Sequence, residues 1–163
     1  MPTLQNYNPS RPYLLLRSWC LTRADENKLL VFERKILRRI YGPVRSDDGE
    51  WRRRTNAELA TLYKEIDIVK WIKLGRLRWA GHVARMNNDA LPKKLMLARP
   101  DRVRRVGRPR LRWEDCVSED CRAILRVANW RTAAQERQSW TRLIEEARTQ
   151  QLVVAPMMMM TTY

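Results

Sequence analysis

Apolar residues recur at helical spacing along much of this chain, and the clearest stretch comes early. Between residues 29 and 40 they lie three or four positions apart, interrupted at Glu33, and basic residues fill most other positions. Such spacing is typical of an amphipathic helix with one buried face. Thr22 offers an N-cap hydroxyl and Gly42 precedes a proline, so we predict a helix of roughly 18 residues between them.

Two more helices are predicted before residue 90. After a loop at residues 43–54, Thr55 and Glu58 match a capping box that opens a short helix. Asp67 is placed to cap a longer helix from Ile68 to Met86. The expected inward residues of this longer helix are Ile68, Trp71, Ile72, Trp79, Val83 and Met86, and its expected charged edges are Lys70, Lys73, Arg76 and Arg78.

Three residues of the longer helix need their own interpretation. Gly75 and Gly81 lower helix stability, so we expect them where the helix packs closely against a neighbour. His82 lies near the same face. We interpret it as a core residue rather than a metal ligand.

The C-terminal third predicts a pair of helices. The first follows Pro109 and begins with acidic residues, as the helix dipole favours. Asn129 is placed to cap the second, which runs from Trp130 to about Thr149. The expected inward residues of the pair are Trp113, Cys116, Val117, Cys121, Ile124 and Leu125, then Ala133, Ala134, Trp140, Leu143, Ile144 and Ala147.

The fold class follows from these elements, because no strand-like alternation of useful length appears. We predict an all-α fold, a small helical bundle of four or five helices with a basic Gly-Arg-Pro arm between its two halves. The predicted organisation is an irregular lead-in (1–21), an N-terminal helical half (22–90), the basic arm (91–110), a C-terminal helical pair (111–149) and a disordered tail (150–163).

Charge is concentrated around the arm. Residues 91–113 carry nine Lys or Arg and one acid, Asp101, and so supply net +8 of the chain's +15. Like charges repel and Pro109 interrupts a helix, so we predict an extended or turn-like arm, with at most a single helical turn after Pro92 at its start. Neutralising phosphates releases condensed counterions, which makes nucleic acid the expected partner. The predicted phosphate contacts are Lys93, Lys94, Arg102, Arg104, Arg105, Arg108, Arg110 and Arg112.

The arm has two other interpretations. It is a solvated basic linker if no polyanion binds it. Its residues 107–110, Gly-Arg-Pro-Arg, also resemble the core of an AT-hook, which lies along a narrow minor groove, although Val106 stands where a hook has arginine. Trp113, next to the arm, is a candidate for stacking on a base, and core packing is the alternative that we favour.

The sequence excludes several kinds of catalyst. At 163 residues the chain is too short for a polymerase. Its adjacent acids at 47–48 and 114–115 fit a turn and a helix start better than a divalent-metal site, and His82 is the single histidine. No phosphate loop or nucleophile elbow is present. We therefore predict no catalytic residue, no enzyme activity, no cofactor and no small-molecule substrate.

The cysteine spacing bears on metal sites and disulfides, and the hydropathy of the chain bears on its cellular location. Cys20, Cys116 and Cys121 include no Cys-x-x-Cys pair, so neither a metal site nor a disulfide is expected. No apolar run reaches the roughly 20 residues of a bilayer span, and no signal peptide is recognisable, so no membrane partner is expected. We predict an intracellular protein, with the nucleus favoured over the cytoplasm because the arm is similar to a nuclear localisation signal.

Five motifs in order resemble one family. They are FERKILRRIYGPVR (32–45), ELATLYKEIDIVKWIKLGRLRWAGHVARM (58–86), LPKKL (91–95), GRPRLRWEDCVSED (107–120) and NWRTAAQERQSW (129–140). The series is similar to the C-terminal tail of insect-type non-LTR retrotransposon endonuclease-reverse transcriptase polyproteins. In those polyproteins the tail lies downstream of the polymerase fingers, palm and thumb.

The resemblance implies parentage rather than catalysis. The family's endonuclease and polymerase catalytic residues lie upstream, and none has a counterpart here. The tail is regarded as a region that holds template RNA or target DNA near the polymerase. Residues 1–20 and the methionine-rich end depart from the family pattern, as expected of a truncated or relic copy. The hypotheses are therefore a nucleic-acid-binding module, a helical module that docks on the reverse transcriptase core, or a relic without cellular function.

Overall fold

Helices dominate the part of the chain that the structure describes. The computed structural model describes residues 18, 20–98 and 112–157, and only the backbone of residues 150–157. Its elements are α1 (Arg23–Tyr41), β1 (Val44–Arg45), β2 (Trp51–Arg52), α2 (Asn56–Tyr63), α3 (Ile68–Arg85), α4 (Leu91–Leu97), α5 (Trp113–Asp120), a π-helical turn (Cys121–Leu125), α6 (Trp130–Ala133) and α7 (Arg137–Met157). This architecture confirms the predicted all-α class.

The predicted helix starts are confirmed by their caps. The Thr22 hydroxyl accepts from the Asp25 N–H at 3.2 Å while the Asp25 carboxylate accepts from the Thr22 N–H at 3.1 Å. Thr55 and Glu58 form the same reciprocal box at α2. At α3, Asp67 Oδ1 accepts from the Lys70 N–H at 2.8 Å. Each cap satisfies N–H groups that a helix start leaves without an intrahelical partner.

The loop predicted over residues 43–54 is instead a small antiparallel hairpin. Val44 lies opposite Arg52, and Arg45 lies opposite Trp51. Its turn is closed by the Ser46 N–H, which donates to the Glu50 carbonyl at 2.8 Å. Strands of two residues are too short to show alternation, which is why the sequence pattern did not reveal them.

The single last helix predicted from residue 130 is also wrong. Asn129 does cap α6, since its Oδ1 accepts from the Thr132 N–H, but α6 ends at Ala133. The Glu136 carboxylate then accepts from the N–H groups of Gln138 (2.9 Å) and Ser139 (2.7 Å) and starts α7. Helix α7 continues to Met157, so residues 150–157 of the predicted disordered tail are helical.

The first part of the predicted arm is helical as well. Helix α4 covers Leu91–Leu97, where an extended or turn-like chain with at most a single helical turn after Pro92 was expected. Pro92 lies at its first turn, where the missing N–H removes no intrahelical bond. Residues 99–111 lie outside the described residues.

The described chain divides into two compact units, and the boundary falls within α3 and within α7. We call residues 18, 20, 72–98 and 112–144 the core unit, and residues 21–71 and 145–157 the hairpin unit. The core unit holds most of α3, together with α4, α5, α6 and the start of α7. The hairpin unit holds α1, the hairpin, α2 and the end of α7.

The core unit is organised around a close contact between α3 and α7. The Trp140 indole Nε1 donates to the Leu77 carbonyl at 3.1 Å, and the side chain is 1% exposed. A Cβ on Gly81 would lie 2.2 Å from that nitrogen, a distance that sterics forbid. Glycine therefore lets the indole lie against the backbone of α3, which confirms the predicted close packing at Gly81.

Two other predictions for α3 are wrong. Arg76, expected at a charged edge, is 2% exposed, and its Nη1 lies 3.2 Å from the Asp120 carboxylate of α5. Lys73 adds a second cation 3.8 Å from Asp120. His82, expected in the core, is exposed and lies with its ring centroid 5.3 Å from that of Trp79. Helix α3 has buried residues on several of its faces, so a single apolar stripe in the sequence did not identify which residues are exposed.

The hairpin unit buries fewer large side chains. Leu37 is the buried residue of α1, and Leu59 that of α2. Glu33, the interruption in the apolar pattern of α1, accepts a hydrogen bond from the Ile68 N–H at 3.0 Å. Desolvation raises the pKa of Glu33, partly offset by this bond. The large apolar side chains that stay exposed in this unit are Val31, Phe32, Ile36, Ile40, Trp51 and Leu62.

Candidate nucleic-acid interface

Lys93, the first of the predicted phosphate contacts, forms hydrogen bonds within the core unit. Its ammonium donates to the carbonyls of Ala84 (3.1 Å) and Met86 (2.8 Å) at the end of α3. A cation at this position satisfies carbonyls that a helix end leaves without intrahelical donors. Lys93 therefore joins α4 to α3, and two of its three ammonium hydrogens are engaged there.

The other described candidates lie on the surface of the same unit. Lys94 is exposed and lies 3.5 Å from Asp89, a pair too exposed to hold the side chain firmly. Arg112 is exposed at the N-cap position of α5, and Trp113 is the half-buried first residue of that helix. Arg102, Arg104, Arg105, Arg108 and Arg110 lie outside the described residues.

Two of the candidates, Arg112 and Trp113, line an open cleft of about 730 Å³. It is lined by residues 95–98 at the end of α4, by residues 112–115 at the start of α5, and by Arg131. Ala98 and Arg112 are the described residues that flank segment 99–111 along the chain. The cleft is therefore lined by the described residues on both sides of segment 99–111.

Arg131 is a residue of this cleft that the sequence did not predict. Its guanidinium forms an ion pair with Glu114 and lies 5.8 Å from the ring centroid of Trp130. Trp130 in turn donates from Nε1 to the Ser118 hydroxyl at 3.2 Å. No local pattern joins residues 114 and 131, so only the fold identifies this contact.

The described lining of the cleft is close to neutral. Its cations, Arg112 and Arg131, are balanced by Glu114 and Asp115. The sequence places further cations in segment 99–111, between Ala98 and Arg112 along the chain: Arg99, Arg102, Arg104, Arg105, Arg108 and Arg110.

Within the described ranges, no group of three or more His, Cys, Asp or Glu could hold a metal ion. The three cysteines are free thiols. Burial raises the pKa of Cys116 and of Cys121 to about 12, which keeps both thiols protonated at neutral pH. None of the helices in the described chain is long and apolar enough to cross a membrane.

Fold and composition together define a small, strongly basic, all-α protein. Among known proteins the chain is similar to an uncharacterized transposon-derived protein of Caenorhabditis elegans, with 24% identity over 137 residues. The match covers 81% of this chain and 49% of that protein, so the chain spans about half the length of the curated relative it matches. No family model and no solved structure matches the chain. The similarity indicates a transposon-related origin.

Proposed function

We propose that this chain is a nucleic-acid-binding region derived from the C-terminal part of a non-LTR retrotransposon reverse transcriptase polyprotein. By itself it is non-catalytic, and it handles template RNA or target DNA through phosphate contacts. The transposon-derived relative supports the origin, and the five ordered motifs support the type of element.

The observation that carries the proposal is the concentration of positive charge in one stretch of sequence. Residues 91–113 hold net +8, and the described residues that flank 99–111 along the chain, Ala98 and Arg112, both line the cleft between α4 and α5. Arg112 and Trp113 lie on the cleft wall, a cation beside an aromatic ring. Cations that track the backbone and rings that stack on bases are the two elements of a nucleic-acid groove.

Fluorescence anisotropy on the full chain tests this proposal. Labelled duplex DNA, single-stranded DNA and hairpin RNA are titrated at about 50 and about 200 mM salt, and affinity should fall by about tenfold or more if several phosphates are neutralised. The double variant Arg108→Gln/Arg110→Gln should lower the slope of log K against log salt by about 1.4 to 1.8, or about 0.7 to 0.9 per lost contact.

A matched control separates local contacts from net charge. Arg122→Gln/Arg137→Gln removes the same charge from two exposed positions that do not line the cleft. The control should retain most of the slope. Equal losses in the two double variants, or no binding by the folded native chain at the lower salt, would contradict the proposal.

The exposed apolar residues favour docking on the reverse transcriptase core as a second candidate function. Helix α4 leaves Leu91 and Leu95 each 67% exposed, and they lie one turn apart on one face. Contiguous apolar surface of this kind is typical of protein interfaces. Binding through it should survive high salt, whereas phosphate binding should not.

A further inference from the structure

The hairpin holds a tryptophan in solvent. Trp51 lies opposite Arg45 in the ladder and is 69% exposed. Because a buried indole would remove a large apolar surface from water, folding does not explain an exposed one. An exposed ring beside cations is the arrangement on which bases of single-stranded nucleic acid stack.

Trp51 borders an arginine-lined cleft of about 320 Å³ within the hairpin unit. The other described residues of its lining are Arg38, Gly42, Pro43, Arg52, Arg53 and Arg54. Arg52 belongs to β2, Arg53 and Arg54 follow it, and Arg38 comes from the last turn of α1. The cleft lining thus combines one tryptophan with four arginines.

Hydrogen bonds fix the wall of this cleft. Arg38 donates from Nε to the Arg54 carbonyl at 3.2 Å and from Nη2 to Asn56 Oδ1 at 2.6 Å. Arg54 donates from Nε to the Gly42 carbonyl at 3.2 Å. These bonds tie the end of α1 to the chain after β2, so that two of the four arginines, Arg38 and Arg54, are held in place before a ligand arrives.

Positive charge in the cleft is only partly neutralised. Glu58 accepts two hydrogen bonds from Arg52, at 2.5 and 3.0 Å, whereas Arg53 is exposed and forms no hydrogen bond or ion pair with another described residue. Desolvation and then repulsion by Arg53 and Arg34 lower the pKa of Arg38. None of the described lining residues is acidic. An anion beside Arg38 and Arg53 would relieve this repulsion.

We propose that this cleft is a second nucleic-acid site, which binds one nucleotide of single-stranded RNA or DNA. The base stacks on Trp51, and a flanking phosphate lies between Arg53 and Arg38. This inference takes its class of ligand from the proposed function, but its residues belong to the hairpin unit alone. Because the base must be unstacked to reach the ring, the site selects single strands over duplexes.

Anisotropy titrations with single-stranded RNA, single-stranded DNA and a duplex of the same sequence test the site. Trp51→Ala should weaken single-strand binding by about 5- to 150-fold, the effect of one stacked base, and leave duplex binding unchanged. Trp51→Phe should retain most of the affinity, because it keeps an aromatic face. Arg53→Gln should lower the salt slope for single strands by about 0.7.

Phe32→Ala is the matched control for losing an exposed aromatic ring. Phe32 is 57% exposed on α1 and does not line the cleft, so its removal should leave single-strand affinity unchanged. Native affinity in Trp51→Ala overturns the site. Altered self-association of Trp51→Ala in sedimentation, with unchanged single-strand affinity, would overturn it in favour of a protein contact.

The arm variant distinguishes this inference from the proposed function. If Arg108→Gln/Arg110→Gln weakens binding and Trp51→Ala does not, the proposed function stands and the second site is wrong. If neither variant changes binding, both are wrong. If both weaken single-strand binding but only the arm variant weakens duplex binding, both are supported.

Discussion

The core unit and the hairpin unit place the same residue types in opposite environments. Trp140 in the core unit is 1% exposed, whereas Trp51 in the hairpin unit is 69% exposed. The ion pair of Arg76 with Asp120 has side-chain exposures of 2% and 7%, and that of Arg52 with Glu58 has 45% and 30%. These two residues, Trp140 and Arg76, thus serve packing in the core unit, whereas Trp51 and Arg52 face solvent in the hairpin unit.

This contrast separates stability from recognition. A buried ring or charge contributes through contacts that no solvent can replace, so its loss lowers the free energy of unfolding. An exposed ring or charge is already hydrated, so its loss changes little unless a ligand covers it. Substitutions in matched pairs, one in each unit, therefore test whether these exposed side chains of the hairpin unit contribute less to stability than the buried side chains of the core unit.

The largest expected difference is between the two tryptophans. Trp140→Ala should lower the free energy of unfolding by about 5 kcal/mol, because it leaves a cavity against α3 and removes the hydrogen bond to the Leu77 carbonyl. Trp51→Ala should change it by less than about 0.5 kcal/mol. Chemical denaturation followed by far-UV circular dichroism measures both. Similar losses in the two variants would contradict the contrast.

The buried ion pair gives the next largest effect. Asp120→Leu should cost about 3 kcal/mol in free energy of unfolding, since it leaves the Arg76 charge buried without its carboxylate partner. Arg76→Met/Asp120→Leu should recover most of that loss, because two apolar side chains avoid the desolvation of both ions. A double variant as unstable as the single one would show that the pair's own attraction, rather than the orphaned charge, dominates.

Local signals predicted the described helix starts well. Thr22, Thr55, Asp67 and Asn129 all cap helices, because a cap depends on a side chain and N–H groups two or three positions away. The all-α class followed from the same periodicity. The packing at Gly81 was also predictable, since glycine inside a helix needs a close neighbour to offset its cost.

Contacts between distant residues were not predictable in the same way. Arg76 with Asp120 and Arg131 with Glu114 join different helices, and nothing in either local sequence marks the partner. The break before α7 depends on competition between Asn129 and Glu136, both of which are able to start a helix. At the candidate interface, the basic composition was visible in the sequence, but the cleft and the engagement of Lys93 by α3 depend on tertiary packing.

The smallest expected effect concerns the exposed ion pair and depends on pH. Hydrogen bonds from the Arg52 guanidinium, and next from the Thr55 N–H, lower the pKa of Glu58 from 4.5 to about 2. A pKa that is lower in the folded chain than in the unfolded chain means that ionised Glu58 stabilises the fold above about pH 4.5, and that this contribution is lost as the pH falls toward 2.

Glu58→Gln should therefore have a slightly lower urea midpoint than the native chain at pH 7, and the two midpoints should converge in acid. Glu119→Gln, at an exposed position of the core unit, is the control for the loss of one carboxylate and should keep the native urea midpoint at pH 7. If the urea midpoint of Glu58→Gln stays below the native midpoint by the same amount down to acid pH, the Glu58 side chain acts through packing rather than through its charge. This part of the hairpin unit would then be stabilised in the same way as the core unit.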